Sequence, residues 1–335
     1  MAPKLHILKA ASGATIQDQG RHGYLRFGVT IAGPMDWVSH ARANLLAGNP
    51  ENAAAIEVAI GGIELEVESG PIVIGYAGAP FVASRNGRAL PLIGRVRLET
   101  GGRMAVRHGA RGAWFYLSVA GGLNVAPVMG SLATSLRTGI GPAPLAAGDI
   151  LALNHTSDLP DVSTDLIFPD CSEPIRVVLG PQDDLFSARG IETFLGEPYR
   201  ISPRSDRMGY RLEGPRIEHL KGFNIVSDAI ALGAIQVPGD GLPIVLMADH
   251  QPTGGYPKLA HVIRADIGRL AQCRPGETVR FAAVSVEVAR NELIATTQAL
   301  RDMSTQAVST EPDLTSERLL ALNLISGVGT ALDQT

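Results

Sequence analysis

The chain has 335 residues, 45% of them hydrophobic and 19% charged, with a formal net charge of −4. That length allows two ordinary domains around a large core, and the low charge excludes a disordered or solvating chain. The acidic balance gives no reason to expect nucleic acid or an anionic membrane as partner, and two cysteines, Cys171 and Cys273, are too few for a disulfide framework or a closed zinc site.

The N-terminus, "MAPKLHILKAASGATIQ", has no apolar run of signal-peptide length, because Lys4, His6 and Lys9 interrupt it. "KLHILKA" reads as the first strand. "TIQDQGRHGY" is a glycine-bearing loop in which Asp18 and Arg21 are spaced to pair. In "AGPMD", Asp36 caps a helix through "WVSHARANLLAG" that closes at Gly48. Strands follow at "AAIEVAI", "IELEVES", "PIVIGYAG", "RVRLE", "AWFYLSVAGG" and "DILAL". "IELEVES" alternates as a half-buried strand should, whereas "PIVIGY" is continuously apolar and reads as covered on both faces. The longest apolar region, "PIVIGYAGAPFVA", is too short to span a bilayer.

Residues 155–170, "HTSDLPDVSTDLIFPD", lack periodicity and read as a linker. Beyond it, "IRVVLG", "AIQVPG", "PIVLMAD", "AHVI" and "TVRFAAVSVE" are strand-like, and "DDLFSARGIETFL" holds a helix. "VEVARNELIATTQALRDM" is helical, and "SERLLALNLI" is helix-prone within a polar tail that is either docked or loose. The resulting expectation is a mainly β protein with a few short helices. Its first β domain covers 1–154, a linker 155–172, a second β domain 173–290, and a C-terminal helical extension or tail 291–335. Reduced thiols and the absence of a leader or span lead us to expect a soluble, cytoplasmic protein with no metal and no membrane partner.

The halves echo each other. Arg-x-Gly-Tyr-x-x-x-Gly occurs at Arg21–Gly28 and again at Arg207–Gly214. Gly121-Gly122 is followed later by Gly254-Gly255, and Gly148-Asp149 by Gly276-Glu277, each of the last two entering a strand.

No P-loop, dinucleotide fingerprint, nucleophile elbow or paired-histidine metal motif is present. Chemistry therefore has to sit on the glycine-bearing loops. In "SDRMGYRLEG", Asp206 and Arg207 are either a loop ion pair or part of an anion grip. In "GAIQVPGDGLPIVLMADHQPTGGYPK", Gln236 lies in a strand, and Asp249, His250, Gln251 and Thr253 follow the next strand. Gly254, Gly255, Tyr256 and Lys258 come after them. Polar groups at a strand end before a double glycine are placed as binding residues often are, and Lys258 adds a compact positive charge.

The stretches "TIQDQGRHGY", "GPMDWVSHARANLLAGN", "VAGGLNV", "SDRMGYRLEG", "GAIQVPGDGLPIVLMADHQPTGGYPK" and "RPGETVRF" together resemble the biotin-dependent carboxyltransferase family, also called allophanate hydrolase subunit 2. The likeness runs in order over roughly residues 5–290. It implies two tandem cyclophilin-like β-barrel domains. The family includes the C subunit of bacterial 5-oxoprolinase, which works with a Kip-inhibitor-like B subunit and an A subunit to open the pyroglutamate lactam with ATP. The chain lacks a Met-Lys-Met biotin acceptor, so the resemblance points to a free-standing component of that hydrolase, with ATP, with or without Mg, bound by it or jointly with a partner. Alternatives within the family are a carboxyltransferase component that uses biotin on another protein, and a regulatory antagonist of a Kip-type kinase inhibitor. On this reading Lys258 and Arg207 hold anionic groups, and Asp206 or Asp249 orients them or relays a proton. Gln236 bonds the amide, and Asp18, Arg21, His250, Gln251, Thr253, Gly254, Gly255 and Tyr256 complete the substrate site. Pro34 and Pro252 depart from the pattern: the first stiffens a turn, the second removes a hydroxyl and an N–H.

Overall fold

A computed structural model describes residues 3–164 and 172–308. In the first half two six-stranded antiparallel sheets face each other. One runs in the order Ile150–Ala152, Lys4–Ala10, Ile63–Ser69, Arg103–Arg107, Val82–Arg85, Arg88–Ala89. The other runs Val162–Ser163, Gly94–Leu98, Ile72–Gly78, Phe115–Val119, Ala55–Val58, Thr15–Gln17. Leu5, Ile7, Leu65 and Met104 from the first meet Ile56, Ile74, Phe115 and Leu117 from the second in one core.

Burial follows the sequence pattern. Ile63–Ser69 begins with strict alternation between buried and half-buried residues, while every residue of Ile72–Gly78 is buried. The outer face of that strand is covered by helix α1, Trp37–Leu46, whose cap Asp36 accepts from Ser39 N (3.1 Å). Gly75 marks the closest approach: a Cβ there would lie 2.3 Å from Ala43 O and 2.4 Å from Ala47 N.

The second half has an eight-stranded sheet, ordered Thr278–Val279, Tyr199–Ile201, Gly209–Glu213, Ile244–Leu246, Ala234–Gln236, Lys258–Val262, Ile175–Leu179, Phe281–Ala283, and a two-stranded ribbon of Asp228–Ala229 with Thr253–Gly254. The two edge strands of the larger sheet are separated in the chain only by Arg280, so that sheet curls into a nearly closed barrel. Val177, Ile235, Val245 and Leu259 fill it, and Phe194 of the helix Ala188–Gly196 stacks on Phe281.

One echo between the halves is a true structural repeat. Gly148 N bonds Ile7 O and Asp149 O receives Ile7 N (both 2.8 Å). Gly276 N bonds Ile201 O (2.7 Å) and Glu277 O receives Ile201 N (2.9 Å). In both turns the acid reaches back three residues, Asp149 to Ala146 N and Glu277 to Arg274 N (2.7 Å each). Both glycines need positive φ, 95° and 90°. The Arg-x-Gly-Tyr echo does not repeat: its first copy becomes an exposed turn at Leu25–Phe27, its second the strand Gly209–Glu213.

Three expectations change. The first part of the segment read as a linker is docked: Val162–Ser163 pairs with Gly94 and Arg95, and Leu159 packs on Ala47, Val73 and Ala120. Its remainder at 165–171 lies outside the described residues, as does the tail with "SERLLALNLI". The last helix, Val286–Val308, starts inside the expected second domain and returns to the first, where Leu293 and Leu300 pack on Trp37 and Ala41. Cys273, expected as a reduced thiol, is disulfide-bonded. Among the described residues no helix is long and apolar enough to cross a membrane.

His40 of α1 is fully buried, with Nε2 3.0 Å from Gln17 O and Nδ1 without a partner. Burial pulls its pKa from 6.5 to about 4. Between those values the unfolded chain takes up a proton that the folded chain refuses, so stability falls as pH drops. Unfolding free energy should lose up to about 1.4 kcal/mol per pH unit from this group between pH 6.5 and about 4. Urea unfolding across that range should show a shallower slope for His40→Gln; an unchanged slope would assign the acid sensitivity elsewhere.

Candidate active site

The halves are clasped by a buried ion network. Arg207, from the loop before Gly209–Glu213, forks onto Asp249 (Nε to Oδ2 3.1 Å, Nη2 to Oδ1 3.0 Å) and donates from Nη2 to Gly33 O (2.7 Å). Its Nη1 bonds Glu57 Oε1 of the first half. Glu57 Oε2 in turn accepts from Met35 N and Tyr116 OH (2.8 Å each). Arg207, Asp249 and Glu57 are 5%, 1% and 0% exposed. Burial pushes the Glu57 carboxyl up against the pull of Arg207. Burial works to lower the Arg207 pKa, but Glu57 and Asp249 hold it above its ordinary value. Gln272 adds a neutral tie, donating to Asp36 Oδ2 and Trp114 O (2.9 Å each) and accepting from Ala113 N and Trp114 N.

Beside this clasp lies a polar cleft of about 580 Å³ between the halves, within the usual range for small-molecule sites. Arg137 reaches it from the first half. Asp206, Arg211, Gln236, Asp240, Gln251 and Tyr256 line it from the second, over Met208, Pro238, Ile244 and Leu246. Asp206 is set by its own turn, accepting at Oδ1 from Met208 N (2.8 Å) and Gly209 N (3.3 Å). Gln236, 2% exposed, donates to Tyr256 O (3.3 Å). Gly254 makes room for it: a Cβ there would lie 2.7 Å from Gln236 Nε2. The Arg137 and Arg211 side chains make no ion pair or side-chain hydrogen bond within the described residues, so both guanidiniums are available to an anion.

The sequence-predicted residues therefore divide. Asp206, Gln236, Gln251 and Tyr256 share the cleft. Arg207 and Asp249 do not line it; they neutralise one another inside the clasp. Lys258 is also outside the lining, buried to 2% exposure with Nζ 2.6 Å from Asp228 Oδ2. The expected convergence of Arg207 and Lys258 on one cleft is thus replaced by two separate ion pairs, one buried at Arg207 and one between the buried Lys258 and the half-exposed Asp228. His250 is buried, its Nδ1 2.8 Å from Gln251 O, and burial lowers its pKa. Thr253 and Gly254 form a two-residue ribbon with Asp228 and Ala229, and Gly255 O accepts from Ile225 N.

Asp18 and Arg21 do not pair. Asp18 accepts from Gly20 N, Ser131 Oγ and Leu132 N. Arg21 is fully buried, bonding Val128 O (3.0 Å) and Ala133 O (2.8 Å), with Nη1 unpartnered and burial lowering its pKa. Both residues anchor the loop that carries Arg137 rather than the ligand. Pro34 sits between Gly33 and Met35, both tied to the clasp, and Pro252 O accepts from Ile230 N (3.0 Å). Arg211 and Arg137 carried no mark in the sequence. Arg211 lies within "SDRMGYRLEG", beside the more conspicuous Asp206-Arg207, and Arg137 has no local motif.

Residues 27–283 match the family described as carboxyltransferase domain, subdomains A and B. The chain is 35% identical to the C subunit of 5-oxoprolinase from Escherichia coli (strain K12), over 85% of this chain and 93% of that protein. Among solved structures, TTHA0988 is 33% identical with a TM-score of 0.77, over 84% of this chain and 55% of that one, so this chain spans about half its length. The urea amidolyase of K. lactis superposes with a TM-score of 0.83 at 27% identity, over 90% of this chain and 20% of that one.

Proposed function

The chain belongs to the carboxyltransferase-domain family, subdomains A and B, and from that premise we propose that it is the C subunit of an ATP-dependent 5-oxoprolinase. Such a complex hydrolyses the lactam of pyroglutamate to glutamate. The observation that carries this reading is the 35% identity to a 5-oxoprolinase C subunit over 93% of that protein's length.

The cleft suits such a substrate. Pyroglutamate is a small anion with one amide, and the cleft offers two unpaired guanidiniums and two amides in a polar space of about 580 Å³. Arg211 and Arg137 would take the carboxylate. Gln236 and Gln251 would orient the lactam N–H and C=O, and the free oxygen of Asp206 would relay a proton to the opening ring. Lys258 is the remaining candidate for the developing oxyanion.

The cleft by itself does not fit a triphosphate. Arg137 and Arg211 are balanced by Asp206 and Asp240, whereas a triphosphate needs a clear excess of positive charge, commonly with a metal. Among the described residues no three His, Cys, Asp or Glu gather as they would around an ion. We propose that ATP binds at a site that the partner A and B subunits complete.

A carboxyltransferase component acting on carboxybiotin is the second reading, favoured by the superposition on urea amidolyase. Co-expression with A and B subunits, followed by assay of glutamate from pyroglutamate with and without ATP, separates the two. Glutamate release that requires ATP and all three proteins is expected. Release only with bicarbonate and a biotinylated partner would favour carboxyl transfer instead.

A further inference from the structure

Lys258 presents an unusual arrangement for a residue beside a ligand cleft. The residue is 2% exposed, yet its partner Asp228 is half exposed, and its other acceptor is Ala229 O at 3.3 Å. Both acceptors lie on one surface segment. From Lys221 to Ala229 every residue except Ile225 is exposed, and Val226 reaches 92%. That segment is tied down by the ribbon of Asp228–Ala229 with Thr253–Gly254, by Ile225 N to Gly255 O (2.9 Å), and by Gln182 Nε2 to Asp228 Oδ2 (3.3 Å). It has almost no apolar burial of its own, the condition under which a segment opens locally without the core.

The lysine is also well placed for use. Gln236 and Lys258 are paired on adjacent strands at a register shift, and both side chains meet the same ribbon: a Cβ on Gly254 would lie 2.7 Å from Gln236 Nε2, and Gly254 pairs with Asp228, the partner of Lys258. Gln236 lines the cleft. An ammonium freed from Asp228 therefore emerges next to the amide that the cleft already presents. The hydrogen bond from Lys258 holds the Asp228 carboxyl below the usual range, so the latch is ionised at neutral pH.

We infer that residues 221–229 form a strap over Lys258, that Asp228 is its latch, and that lifting the strap delivers the Lys258 ammonium to a negatively charged oxygen that develops on a ligand beside Gln236. Asp228 is a positioning residue on this account, acting through Lys258. The ligand's identity rests on the function proposed above; the strap and latch do not.

The test uses the full chain without ligand. It has four lysines, Lys4, Lys9, Lys221 and Lys258, and limiting acetylation with an N-hydroxysuccinimide ester, read by peptide mass spectrometry, measures each in the same sample. Lys4, Lys9 and Lys221 should react rapidly and Lys258 slowly. Asp228→Asn should accelerate Lys258 by about tenfold or more, the effect of losing a charge-assisted bond that opposes opening, with Lys4 and Lys9, outside the strap, unchanged. Asp228→Glu should restore slow labelling. Amide hydrogen exchange of the unmodified protein gives an independent reading: 221–229 should exchange well before the Lys258–Val262 strand. Rapid labelling of Lys258 in the unmodified chain, an Asn variant with no acceleration, or exchange of strap and strand together would overturn the inference. None of these readouts depends on turnover, so they stand or fall apart from the assay of pyroglutamate hydrolysis.

Discussion

Glu57→Ala is expected to destabilise the protein by about 3–5 kcal/mol, the usual cost of removing one partner from a buried ion pair. Glu57 has no exposure and joins the halves through Arg207 Nη1, Met35 N and Tyr116 OH. Alanine leaves the Arg207 guanidinium with Asp249 and the Gly33 carbonyl, takes the acceptor from its Nη1, and removes the acceptor for two further buried donors. Glu57→Gln keeps an acceptor for Met35 N and Tyr116 OH and should cost clearly less. Urea unfolding measures both. The midpoint should fall steeply for Ala with little change in slope. Equal, small shifts for Ala and Gln would mean that the clasp contributes little to stability.

Arg211→Ala is expected to act in the opposite way. Arg211 is exposed on the cleft wall and its side chain holds no acceptor within the described residues, so folding should be nearly indifferent to its loss. A charge-assisted bond to a substrate carboxylate, however, corresponds to roughly ten- to hundredfold in affinity. In the reconstituted complex kcat/KM for pyroglutamate should drop by that factor, mainly through KM, with the unfolding midpoint unchanged. Arg207→Ala should reverse the signature, losing stability first. Parallel behaviour of the two variants would erase the distinction between clasp and cleft.

Much of the fold was legible because local pattern and tertiary burial agree. The alternation of "IELEVES", the continuous run of "PIVIGYAG" and the Asp36 cap each predicted what the backbone does. The glycine-acid echo marked a turn that recurs with the same hydrogen bonds in both halves. What could not be read is which charges meet across the chain. Arg207 and Arg211 are four residues apart and chemically identical in sequence. Only the packing of Glu57, 150 positions earlier, decides that Arg207 is spent on the clasp while Arg211 is free. Asp228, likewise, gave no local sign that it would cover Lys258. The apparent linker misled because Val162 and Ser163 find an edge strand, a pairing that polarity and lack of periodicity do not disclose.

The most direct measurement is a structure of the chain assembled with its partner subunits and soaked with pyroglutamate. The lactam carboxylate should lie about 3 Å from the Arg211 guanidinium, with Arg137 closing over it, Gln236 facing the amide, and Arg207 still locked to Glu57 and Asp249. A lactam bound at a different place, with Arg137 and Arg211 pointing to solvent, would contradict the assignment of this cleft.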